Sequence, residues 1–232
     1  MMSLRTRSTE PEIMDDLDCH GEVVDQTLRE LEVINRLLGG DYVTISGVAK
    51  LLNKDQNSYT IADLGCGGGD LAMKIVDWGK KNGYDLKVEG VDANPHIIEF
   101  ARRNCRDKIS LQTFDVFADE FKKRKYDIIT ATLFVHHFDD MQLAGLFSSL
   151  KNQARTGVVI NDIHRHSLSY YAIKFLTQLL SRSAMVKFDA PLSVRRAFTR
   201  KELIRILDKA GIKHYSLHWK WAFRWQLIWH TF

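Results

Sequence analysis

The stretch Ile61-Ala-Asp-Leu-Gly-Cys-Gly-Gly-Gly-Asp70 decides the fold. Ahead of it, Tyr59-Thr-Ile-Ala62 is a β-prone run, and behind it Leu71, Ile75 and Trp78 recur at helical spacing. A strand therefore runs into a glycine-rich turn that opens a helix. Glycine suits such a turn because a side chain would hold the backbone away from a ligand, and because the turn calls for positive φ. The dinucleotide fingerprint G-x-G-x-x-G is only half met. Gly65 and Gly67 fit it, but the third glycine position is Asp70, and the run reads D-x-G-x-G-x-G from Asp63. A pyrophosphate seeks a bare helix N-terminus, which a carboxylate at Asp70 opposes. Asp63 and Asp70 suit a cofactor with a positive centre and no phosphate.

Two further acids follow at strand ends. Leu86 to Val91 reads as a second strand closed by Asp92, and Asn94-Pro95 opens the next helix with proline in its favoured first turn. An acid there suits a ribose, because two carboxylate oxygens can accept from vicinal hydroxyls; the plainer role is a helix cap. A third strand, Ile109 to Phe114, ends at Asp115. The apolar run Ile128 to Thr132 reads as a strand buried on both faces. After it come Leu133-Phe-Val-His-His-Phe-Asp-Asp140, a helix over 141–153 and a fifth strand, Gly157 to Ile160. Strands alternating with helices imply a parallel, doubly wound sheet, with ligands outside the carboxyl ends of its strands. Asp63, Gly65, Asp92, Asp115, Thr132 and Asn161-Asp162 all fall at that edge.

Taken together, the glycine turn and the acids at the strand ends resemble the class I S-adenosylmethionine-dependent methyltransferases. The resemblance covers about residues 55–215. It implies a Rossmann-like α/β sheet of seven strands, mostly parallel with an antiparallel C-terminal strand, and S-adenosyl-L-methionine as cofactor. Asp63, Gly65, Cys66, Gly67 and Gly69 would form the glycine turn, and Asp92 with Ala93 would hold the ribose. Asp115 would receive the adenine amino group, Val116 would pack on the ring, and Thr132 at the end of the fourth strand would also border the cofactor. The His136-His-Phe-Asp-Asp140 run resembles the loop of small-molecule O-methyltransferases in which a histidine is the base. By that likeness His136 is the match and His137 its neighbour; a structural role for both stays open. A looser likeness, through Ile34-Asn-Arg-Leu-Leu-Gly-Gly40 and Val159-Ile-Asn-Asp-Ile-His-Arg-His166, is to bacterial methyltransferases associated with type III polyketide synthases. It implies a phenolic, quinone-like or polyketide-derived acceptor. C-methylating quinone enzymes share the core, so the methylated atom stays open. So do two other classes: a nicotinamide oxidoreductase, which leaves Asp115 without a role, and a cofactor-binding scaffold without catalysis.

The rest of the chain sets limits. Its 232 residues, 45% hydrophobic, suffice for one α/β domain with additions. Residues 1–53 read as a helical arm or lid and 54–232 as the domain. Residues 1–20 look mobile and polar. Glu22–Leu38 is an amphipathic helix stopped by Gly39-Gly40, and a short helix covers about Ser46–Leu52. Residues 164–197 read as a candidate substrate cap, a helix followed by a loop around Asp189-Ala-Pro191, with His164 and His166 as further pocket candidates. Thr199-Arg-Lys-Glu202 is a capping box that starts a helix ended by Gly211. The tail from Ile212 alternates through Trp221, Phe223, Trp225, Leu227 and Trp229 as two strands with one buried face. Cys19, Cys66 and Cys105 form neither a disulfide framework nor a metal site, so no metal and a reducing cytoplasm are expected. No apolar run approaches the roughly 18 residues of a membrane span. The net charge of +4, with signs interspersed, is too mild to argue for nucleic acid, and none is expected as a partner. The partner expected is a small-molecule acceptor; oligomeric state has no signature.

Overall fold

The structure is a computed structural model, and it describes residues 4–231. Two helices open the fold, α1 (Glu22–Leu37) and α2 (Gly40–Leu51). The core then runs β1 (Ser58–Leu64), α3 (Asp70–Lys81), β2 (Asp85–Asp92), α4 (Pro95–Cys105), β3 (Ser110–Thr113), α5 (Asp119–Lys122), β4 (Tyr126–Thr132), α6 (Asp140–Gln153) and β5 (Ala154–Ile163). After β5 come α7 (Ser167–Leu180), α8 (Ala184–Arg196), α9 (Arg200–Lys209), β6 (Tyr215–Lys220) and β7 (Arg224–His230). The strands form one sheet in the order β3-β2-β1-β4-β5-β7-β6. β1 to β5 are parallel, and β7 lies antiparallel between β5 and β6. This is the Rossmann-like sheet expected.

Strand periodicity fills both faces. Ala62 and Leu64 of β1, Ile129 and Ala131 of β4, and Val158 and Ile160 of β5 point to a layer formed by α6 and α9. Tyr59, Ile61, Ile128 and Val159 point the other way, to α2, α3 and α4. Alternation by two sends successive side chains to opposite faces, so each strand serves two cores. Local caps behave as the sequence implies: Pro95 is the first residue of α4 behind an Asn94 cap, and Thr199 and Glu202 make the capping box of α9.

α2 begins at Gly40, six residues before the expected start near Ser46, and the short α5 is not among the expected elements; three further regions differ from the sequence reading. Residues 4–20 are tied down. The buried Arg165 guanidinium donates to the carbonyls of Leu4 and Arg5, and Arg7 donates to the carbonyls of Phe138 (2.7 Å) and Arg196 (2.7 Å). The Asp189 carboxylate accepts from the backbone N–H groups of Ile13 and Met14. This strap lacks an apolar pattern because polar ties hold it. Residues 164–197 contain two helices, and α8 runs straight through Asp189 and Pro191. Leu192 and Val194 of α8 are buried, and packing overrides the breaker at Pro191. In the tail, Trp221 and Phe223 lie in the turn between β6 and β7, with Phe223 at φ +53°. β7 is buried on both faces. Trp225, Leu227 and Trp229 meet the α6–α9 side, while Gln226 donates to the Val43 carbonyl of α2 and accepts from Lys50. No described helix is long and apolar enough to cross a membrane.

Candidate active site

A cavity of about 950 Å³ opens at the carboxyl ends of β1, β2 and β4. It lies within the range of ligand sites, and its position is the one an open α/β sheet dictates. Asp63, Gly65, Cys66, Gly67, Asp92, Ala93, Asp115, Val116, Thr132, His136 and His137 all line it. Gly69 does not. Its φ of +76° and its closeness to α4, where a Cβ would stand 2.4 Å from the Cys105 sulfur, make it a packing glycine at the start of α3. Gly65 is different: at φ +63° an added Cβ would stand 2.3 Å from the Phe134 ring, on the cavity wall.

Of the acids on this side, Asp92 is held by the glycine turn itself and the others by neighbouring groups. Asp92 accepts from the backbone N–H groups of Gly67 (3.3 Å) and Asn94 (3.0 Å), and burial raises its carboxyl above the ordinary value. Asp63 is buried against the Thr130 hydroxyl at 2.7 Å, and burial pushes it up to about 6. Asp70 bonds Asn104 and is likewise raised by burial. A bound cationic group would reverse these shifts, since an opposite charge within a few ångströms favours the carboxylate. Asp115 is exposed and caps its own turn through the Phe117 N–H. The Thr132 hydroxyl bonds Thr44 of α2 at 2.7 Å.

The opposite wall is built by the strap, the turn after β4 and α8. His136 is 2% exposed. Its Nδ1 meets the Asp162 carboxylate at 2.8 Å, and its backbone N–H donates to the same group at 3.1 Å. Burial alone would raise Asp162. The His136 imidazole and the N–H groups of His136 and Ile163 hold it below its ordinary value. That bond fixes the ring and leaves Nε2 without a hydrogen-bond partner, 3.5 Å from the equally unpartnered Oε1 of Glu12. Glu12 is buried in the strap and accepts from Ser193 of α8; desolvation pushes its carboxyl up to about 7. His137 Nδ1 bonds the Asp15 carboxylate, which also takes the Arg196 guanidinium. Glu12, His136 and His137 bring donor atoms within 4.8 Å of one another, near enough to hold one cation between them.

Met14 and Leu17 of the strap and Ser169, Ala172, Ile173 and Leu176 of α7 complete this wall with mostly apolar surface. His164 and His166 are not part of it. His164 packs on Trp225, and His166 caps α7 and stacks on Phe223. Sequence reasoning missed Glu12, Asp15, Asp189, Ser193 and Arg196, all ordinary surface types until α8 and the strap bury them together.

Residues 61–157 match a family described as a methyltransferase domain. No curated protein sequence matches the chain. Among solved structures, a candidate O-methyltransferase of Nostoc punctiforme superimposes with a TM-score of 0.61 at 15% identity, covering 94% of this chain and 67% of that one. Human N-acetylserotonin methyltransferase, solved with S-adenosylmethionine, gives 0.62 at 17% identity over 88% of this chain and 55% of its own. An O-methyltransferase family 2 protein of Planctomyces limnophilus, solved with apigenin, gives 0.61 at 16% identity over 93% and 63%. The chain thus spans between about half and two thirds of the length of these structures. At such identities the likeness is one of fold. Residues 61–157 thus match a methyltransferase domain, and the chain as a whole shares the Rossmann-like fold of these methyltransferase structures.

Proposed function

We propose that the protein transfers the methyl group of S-adenosylmethionine to a hydroxyl oxygen of a small, largely apolar acceptor of phenolic, quinone-like or polyketide-derived type. One observation carries the choice of oxygen: Asp162 fixes His136 through Nδ1 and leaves Nε2 unpartnered among cavity-lining residues. An oxygen nucleophile must lose its proton as it attacks, and an oriented imidazole whose Nε2 carries no hydrogen bond is suited to take it, the acceptor hydroxyl displacing the Glu12 carboxyl that lies 3.5 Å away.

The cofactor supplies the electrophilic methyl on a sulfonium. Asp92 binds the ribose hydroxyls, Asp115 the adenine amino group, and Val116 packs on the ring. Gly65 and Gly67 let the backbone come close, and the burial-raised Asp63 and Asp70 favour a cationic ligand over a pyrophosphate. Thr132 closes the site from the end of β4. His136 accepts the acceptor's proton at Nε2, and Asp162 stabilises the imidazolium formed. His137, held by Asp15, supports the ring beside it, 4.3 Å between centroids. The strap and helices α1 and α2 act as the lid, excluding water and holding the acceptor in line, which supplies much of the rate in a displacement. α7 and α8 act as the substrate cap. Cys19, Cys66 and Cys105 are free thiols, as a reducing cytoplasm would keep them.

Calorimetry with S-adenosylmethionine, S-adenosylhomocysteine and NAD, followed by turnover on a panel of phenols and quinone precursors, tests the reading. Binding of the first two and oxygen methylation support it. Binding of NAD alone overturns it, and a carbon-methylated product removes His136 from the mechanism described.

A further inference from the structure

α7 carries two adjoining apolar stripes over more than half of its circumference, with Ser167, Lys174, Thr177 and Gln178 on the remaining side. Ser169, Ala172, Ile173 and Leu176 face the cavity. About a quarter-turn away, Leu168, Tyr171, Phe175 and Leu179 form a second stripe at spacings of three and four, and these four side chains are 63–70% exposed. A helix with apolar residues on that much of its circumference is normally buried in protein or lipid. The stripe is continuous with the mouth of the cavity, because Phe175 belongs to both. Near the start of α7 the turn between β6 and β7 continues it: His166 stacks on Phe223, Phe223 lies edge-on to Trp219, and Trp221, 71% exposed, also lines the cavity. An exposed apolar rim of this kind marks an interaction surface.

The exposed charge along it is mainly basic. From His164 to Phe188 the sequence carries no acid; Arg165 is buried against Glu202, but Lys174 and Arg182 are exposed and Lys187 is half-buried, and the acid that meets this segment is Glu30 of α1, bonded to Ser181 and the Arg182 N–H. Lys174 leans over the Tyr170 ring, placing an ammonium beside the stripe. Aromatic and aliphatic side chains bordered by Lys and Arg are the composition of a surface that sits in the headgroup region of an anionic bilayer. A tightly bound second copy or other protein fits less well, because covering Phe175 and Trp221 would stopper the cavity, whereas a fluid lipid surface covers the same rim and feeds it.

We propose that the α7 stripe and the β6–β7 turn dock the protein on an anionic membrane surface and that its acceptor is drawn from the lipid phase. The docking is superficial, since no described helix can span. The identity of the acceptor as lipid-borne rests on the methyl-transfer reading above; the docking itself does not.

The test is sedimentation of the full chain with vesicles of phosphatidylglycerol and phosphatidylcholine, against vesicles of phosphatidylcholine alone, at low and high salt. The triple variant Leu168→Ser, Tyr171→Ser, Leu179→Ser is the comparison, because none of the three lines the cavity. The full chain should partition onto the anionic vesicles, more weakly at high salt, and the triple variant should lose at least about tenfold of that affinity while binding S-adenosylmethionine unchanged. No partition, or equal partition of the variant, overturns the proposal. So does light scattering that finds a dimer of the full chain and a monomer of the variant, which would make a second copy the occupant. A vesicle-binding protein that transfers no methyl group would retain the docking and sink the catalytic reading instead.

Discussion

The two walls of the cavity are assembled over very different distances along the chain. On the wall proposed for the cofactor, Asp63, Gly65, Gly67, Asp92 and Asp115 stand within a few residues of the strand that delivers each of them. On the acceptor side, His137 meets Asp15 across 122 positions, and the Ser193 hydroxyl meets Glu12 across 181. The first wall uses backbone N–H groups and strand ends, whose direction the sheet dictates. The second uses side chains from three separate segments, and each is placed only when all three are packed. A scaffold of the first kind can keep one cofactor while the second kind is rebuilt around new acceptors. This is the division by which one fold hosts many reactions.

Substitutions can break or sharpen this contrast. The largest effect is expected at His136. His136→Ala should lower turnover by roughly 10²–10⁴-fold and leave cofactor affinity nearly unchanged, as read by steady-state kinetics beside calorimetry. An equal fall in cofactor affinity would erase the separation of the walls. His137→Ala is the control, and an effect there alone would move the base by one residue.

Next comes Glu12, whose carboxyl is at about 7 in the fold against an ordinary 4.5. For an acid raised by folding, the unfolded chain ionises first. The cost therefore appears as pH rises from 4.5, reaches roughly 3 kcal/mol by pH 7 and stays constant above it. Glu12→Gln should leave stability nearly unchanged at pH 4 and raise it by up to about that amount at pH 8. Denaturant melts at the two pH values check this. A pH-independent change would mean that Glu12 is not desolvated in the fold.

Asp92→Ala should weaken S-adenosylmethionine by about tenfold to a hundredfold, for a loss of roughly 1.5–3 kcal/mol in charge-assisted hydrogen bonds, with turnover at saturating cofactor much less affected. Titration of the folded variant decides it, and an unchanged affinity would remove Asp92 from the ribose site. The smallest effect expected is none. With His136 Nε2 as a proton acceptor, chelation and dialysis should leave turnover unchanged. Loss of activity that added divalent metal restores would make Glu12, His136 and His137 ligands and end the role of His136 as base.

The same contrast explains what could be read in advance. The sheet and the strand-end acids were legible because periodicity and turn chemistry act over short stretches, as at Tyr59–Asp70 and Asn94-Pro95. Residues 4–20 were not, because Arg7, Glu12 and Asp15 have no local pattern and gain meaning only beside Arg196, Asp189 and His136. Pro191 misled for a related reason: a breaker rule is local, and α8 is held by contacts that are not. The Trp-rich tail did announce strands, but Gln226 and Arg224 looked like a wet face until α2 was seen to cover them. His136 was legible as a residue at the right strand end, while its orientation by Asp162 required β5 to lie beside β4.

Residues 4–20 have a consequence in time as well as in space. The strap crosses the rim of a cavity that, on the proposed reading, admits a cofactor and an acceptor and releases two products, and Arg7 and Arg165 tether it by charge-assisted bonds to backbone carbonyls. If parting of those tethers is slower than the displacement, the unfastening limits the native rate, as in many enzymes whose lids set their pace, and the His136→Ala loss in turnover falls at the lower end of the range given above. Rates would then fall with solvent viscosity and be indifferent to how acidic the acceptor hydroxyl is. A rate that tracks acceptor acidity and ignores viscosity would show the strap to be a fixed wall.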